Sequence, residues 1–127
     1  MRLSIMNTGE ELLKQEQEVW LKTLERLRLE NLLLKNRLIE VIRKDISKEQ
    51  LEKAEFFQGL FLDKDTVIAL LRRDIARMAA RIVPVLPERN GYMAERNKLR
   101  EDIYRMEMEF SAVKDQFNRF VADISSS

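Results

Sequence analysis

The chain contains no cysteine and no histidine. The first absence excludes a disulfide framework and thiol nucleophiles. The second removes the commonest general base, and together they remove the usual zinc ligands. A di-iron carboxylate bundle is excluded as well, because it draws a Glu-x-x-His pair from each of two helices. Glycine occurs only at 9, 59 and 91, too scattered for a phosphate-cradling loop. No stretch approaches the ~18 consecutive apolar residues of a membrane span, and the opening seven residues lack the apolar run of a signal peptide. A cytoplasmic location without membrane contact is the expectation. Net charge is nearly absent too: 23 basic and 22 acidic side chains leave +1, with no global field to draw in nucleic acid. No cofactor, metal ligand set or catalytic residue emerges from this inventory, and a non-enzymatic role is expected.

What is present points to long helices. Of the 127 residues, 45% are apolar and 35% charged, too apolar for disorder and sized for one domain over 1–127. Apolar side chains recur at the alternating 3-4 spacing that keeps a helical stripe facing a partner helix. The first seam runs Leu13, Gln17, Trp20, Leu24, Leu27, Asn31, Leu34, Leu38, Val41. The second runs Ala54, Phe57, Phe61, Lys64, Ile68, Leu71, Ile75, Met78, Ile82. The third runs Tyr92, Arg96, Leu99, Ile103, Met106, Phe110, Val113, Phe117, Phe120, Ile124.

Pro84 and Pro87 must end the second helix, since proline lacks the amide and clashes with the preceding turn. The first boundary is subtler. The register of the seam jumps near Ser47-Lys48-Glu49-Gln50, a Ser-x-x-Gln capping box flanked by Ile46 and Leu51 at hydrophobic-staple spacing. A tight reversal near Asp45–Ser47 fits this pattern. The alternative is one continuous helix with a stutter, because Leu34, Leu38, Ile42, Ile46 and Ala54 lie on a period-four line.

With the reversal, helices of about 10–46, 47–82 and 88–124 follow, with frayed ends at 1–8 and 125–127. Three helices of matched length and short connections suit an all-α, up-down-up antiparallel coiled-coil bundle. Such a bundle puts residue i of the first helix near 93 − i on the second and i + 78 on the third, to about one turn. Seam polar residues should then find one another: Asn31 near Lys64, Glu107 and Glu109, and Arg96 near Glu18 and Asp74. These three, Asn31, Lys64 and Arg96, are expected to set register.

Two surfaces stand out. Arg72, Arg73, Arg77, Arg81, Arg89, Lys98 and Arg100 gather toward the proline hairpin as a candidate basic patch for nucleic acid, although no aromatic residue is interleaved to stack on bases. The acidic start of the first helix (Glu10, Glu11, Glu16, Glu18) is expected to neutralise that end. The first helix also resembles a DNA-binding leucine zipper in its seam, but residues 1–12 contain only Arg2 where that class requires a basic region. The second surface is apolar. Leu29, Leu32, Leu33 and Ile39 lie outside the seam, where solvent is expected, and clustered leucines of this kind favour self-association or docking of another helical protein. A structural or adaptor module working through protein contacts is the expected function, with a nucleic-acid accessory role at the arginine end as the alternative.

Overall fold

The computed structural model describes residues 8–82 and 92–126. Three helices account for nearly all of them: α1 is Thr8–Ile42, α2 is Lys48–Ile82 and α3 is Tyr92–Ser125. Each packs on the other two, α1 and α2 most extensively. No strand occurs among the described residues.

The chain reverses between α1 and α2, so the single stuttered helix does not form. The break comes earlier than the sequence pattern suggests: α1 ends at Ile42, not at 46. Its last turn tightens, with the Lys44 amide donating to the Val41 carbonyl at 3.1 Å. Beyond it the capping box takes over. The Ser47 amide donates to Gln50 Oε1 at 2.9 Å, and the Gln50 amide donates to Ser47 Oγ at 3.0 Å. An amide held by Gln50 cannot also continue α1 to the carbonyl four residues back, so this pair both closes one helix and opens the next. Caps of this kind contribute about 1 kcal/mol. The expected start of α3 at 88 lies outside the described residues; its end falls at Ser125, one residue beyond 124.

The seams are the core. Leu24, Ala54, Phe61 and Phe117 are fully buried, and Leu27, Leu38, Val41, Ile68, Ile75, Leu99, Ile103, Met106 and Phe110 nearly so. Leu13, Val113 and Ile124 pack against them at the margin. Val121 is buried as well although it lies off the seam. Near the α1–α2 turn, four rings tie α3 to α2. Phe117 meets Phe57 and Phe61 edge-on at 5.3 and 5.1 Å between centroids, and Phe120 lies 5.3 Å from Phe57. Edge-on pairs of this kind add about 0.5–1.5 kcal/mol beyond the area they bury.

Cross-helix polar contacts follow a consistent order. Along α1, Glu25 pairs with Arg72, whereas Asn31 further along reaches back to Phe61 and Asp65. From α1 to α3 the numbers rise together, as Glu16 with Arg96, Arg26 with Glu107 and Glu30 with Lys114. This is the order of contacts that an up-down-up path produces.

Candidate interaction surface

The three polar seam residues occupy three different situations. Asn31 is fully buried. Its Nδ2 donates to the Phe61 carbonyl at 2.9 Å and to Asp65 Oδ1 at 2.7 Å, while its own Oδ1 is buried without a partner. Lys35 bonds the other oxygen of Asp65. The expected partner, Lys64, is one residue away in sequence but points along α3, where it pairs with Glu109 at 3.3 Å. One residue of helix is a 100° turn, so level was matched and direction was not. Arg96 makes a two-pronged pair with Glu16 at 2.6 and 2.9 Å, in place of the expected Glu18 and Asp74. Glu18 is exposed, whereas Glu16 sits on the flank of α1 that faces α3. Such a fork-to-fork pair fixes geometry as well as charge.

The arginine end is laced into its own helices. Arg72 approaches Glu25 at 4.0 Å, Lys98 pairs with Asp102 at 2.8 Å and Arg100 donates to Asn97 at 3.4 Å. The hydrogen bond that Lys98 donates to Asp102 raises the pKa of its ammonium, and the carboxylate charge adds to it. Glu25 shows the reciprocal effect. Hydrogen bonds from Arg28 hold its carboxyl below the ordinary value, against some desolvation, and the Arg28 and Arg72 charges act in the same direction. Arg77 lines an open cleft of about 570 Å³ together with Asp74, Glu95, Lys98 and Asp102. With three acids against two bases in the group, the cleft is not a basic groove. Arg73 is exposed, and Arg89 and the side chain of Arg81 lie outside the described residues. No cluster of acidic residues able to hold a metal ion occurs among the described residues.

The apolar surface is where the sequence pattern puts it. Leu29, Leu32, Leu33 and Ile39 are 46%, 41%, 67% and 49% exposed. What the pattern of α1 alone does not reveal is the other wall. Leu51 and Leu62 of α2 are also exposed, and Leu62 precedes by three residues the Asp65 that bonds to α1, so it shares that flank. Elsewhere, Val19, Phe56, Leu70, Tyr104 and Met108 are exposed on other faces. No helix is long and apolar enough to cross a membrane among the described residues. Comparison with known proteins adds no identity to this picture: the chain matches no family model, no curated protein and no solved structure.

Proposed function

We propose that the protein is a non-catalytic structural or adaptor module of the cytoplasm that works by protein–protein contact, self-association foremost, through the α1 face at 29–39. The observation that carries this is the exposure of Leu29, Leu32, Leu33 and Ile39 on a helix whose opposite stripe is fully packed. A helix needs only one stripe to hold its place in a three-helix bundle. Apolar side chains beyond that stripe are only partly used by the fold of one chain. About half of Leu29, Leu32 and Ile39 and a third of Leu33 is already covered, so burying the remainder is worth about 1 kcal/mol per residue. Four together suffice to bias association, and left wet they make an adhesive patch.

Light scattering of the purified chain tests the reading. The chain is expected to associate, and the double variant Leu29→Ser, Leu32→Ser is expected to weaken association while leaving helix content unchanged. A strictly monomeric chain whose behaviour the double variant leaves unaltered refutes it. The arginine end supports no second reading, because Arg72, Lys98 and Arg100 are each engaged by side chains of their own bundle.

A further inference from the structure

We propose that the occupant of this surface is a second copy of the chain, seated over the outer groove between α1 and α2 on a two-fold axis that runs along the helices, so that two α1–α2 hairpins form a shared four-helix core. The proposal rests on the self-association reading and adds to it a groove, a symmetry and a register.

The groove is defined by two bonded landmarks. Lys35 of α1 and Asp65 of α2 join across it. On α1, steps of three, four and seven from Lys35 lead to Leu21, Arg28, Leu32, Ile39 and Ile42, with Arg43 just past the end of the helix. On α2, the same steps from Asp65 lead to Leu51, Glu55, Gln58, Leu62 and Arg72. Residues so spaced share one flank of a helix. Leu21, Leu32, Ile39, Leu51 and Leu62 are all exposed on these flanks. Leu29 borders these flanks, and Leu33 lies one further position round the exposed side of α1. From Leu21 to Ile42 the strip is about 32 Å long, and two helices make it roughly 20 Å wide. A flat area of about 650 Å² approaches the ~800 Å² that each partner of a stable complex covers.

Charge selects both the occupant and the axis. At each level the two walls carry opposite signs: Glu25 against Arg72, and Arg28 and Lys35 against Asp65. Arg43 falls level with Glu55, and both are exposed and outside the ion pairs described above. A patch that carries both signs, one on each wall, is complementary to itself under a two-fold operation. With the axis along the helices, α1 lies over the α2 of the other copy, every charge meets its opposite, and Leu32 covers the other copy's Leu62. With the axis across the helices, α1 lies over α1, and Arg28, Lys35 and Arg43 crowd against one another. Like charges in an interface are strongly disfavoured, so the first arrangement prevails.

The natural chain has no cysteine, which makes the geometry directly testable. Two full-length variants, Leu32→Cys and Leu62→Cys, are oxidised separately and as an equimolar mixture, and covalent dimer is measured on a non-reducing gel. The mixture is expected to give at least tenfold more dimer than either variant alone, since only the 32–62 pair comes within the ~7 Å that a disulfide spans. In parallel, Ile39→Lys with Leu62→Lys is expected to give monomer by light scattering, and Met108→Ser, on the exposed side of α3, to keep the dimer. Dimer formation by Leu32→Cys alone at the rate of the mixture overturns the axis. Association that persists without any 32–62 link overturns the groove while leaving the self-association reading intact. A wild-type monomer overturns both.

Discussion

Replacing Asn31 by leucine gives the sharpest test of how the bundle balances order against stability. The asparagine makes two hydrogen bonds, one to the neutral Phe61 carbonyl and one to the Asp65 carboxylate. Losing them costs about 1 kcal/mol for the first and about 1.5–3 for the second. Two gains oppose this loss. The unpartnered Oδ1 disappears, recovering about 1–3 kcal/mol, and a leucine in a fully enclosed site adds about 1.5–3. Asp65 keeps Lys35, and the Phe61 carbonyl, as a residue inside α2, keeps its helical bond. The sum runs from a loss of about 1.5 kcal/mol to a gain of about 3.5 and centres on a stabilisation of about 1, although an obviously native interaction has been removed. Asn31→Asp, of the same shape, is expected to destabilise by about 3 kcal/mol or more, because it buries a carboxylate against Asp65. Urea unfolding followed by the emission of Trp20, the single tryptophan and a buried one, reads both variants. A loss of 2 kcal/mol or more in Asn31→Leu would show that the bonds outweigh the orphaned oxygen, and the reasoning would fail.

Three further outcomes are expected. Gly59 lies inside α2, and a Cβ there would meet nothing within 4 Å, so Gly59→Ala should raise stability by about 0.5–1 kcal/mol; a fall in the urea midpoint would contradict this. Phe117→Ala removes a ring with no exposed surface and two edge-on partners and should cost about 3–5 kcal/mol, read from the same transition. Glu25 has a folded pKa below its ordinary 4.5, so it contributes stability above about that pH and loses it as pH falls through the lower folded value. Glu25→Gln should therefore flatten the decline in midpoint below pH 4.5 relative to wild type, and an unchanged acid slope would remove the assignment.

Most of the fold is legible in the sequence because its two strongest determinants are local or periodic. The 3-4 spacing names the core directly, and every described seam position from Gln17 to Val41 is buried. The Ser47–Gln50 reciprocal pair needs only three residues of separation, so it too can be read from the chain. What cannot be read is rotation about each helix axis. Asp65 and Lys64 share a level, yet one serves α1 and the other α3. The same ambiguity hid the α2 wall of the apolar groove, since Leu51 and Leu62 look like isolated exposed residues until Asp65 shows which flank faces α1. The end of α1 falls at Ile42 and not at 46 because a capping box fixes where the next helix starts and leaves open where the preceding one stops.

The bonds between α1 and α3 alternate in sign along α1: acid at Glu16, base at Arg26, acid at Glu30. Each alone is worth little in water, but the sequence of signs behaves like the teeth of a key. Slide α3 by seven residues one way and Arg26 confronts Lys114; slide it seven the other way and Arg26 confronts Arg100 while Glu30 confronts Glu107. The greasy stripe of a heptad helix fits equally well after such a slip. Beside the Phe57–Phe117 ring cluster, the alternating pattern tells the correct alignment from its neighbours, so pairs that scarcely affect the depth of the folded minimum help decide which minimum it is.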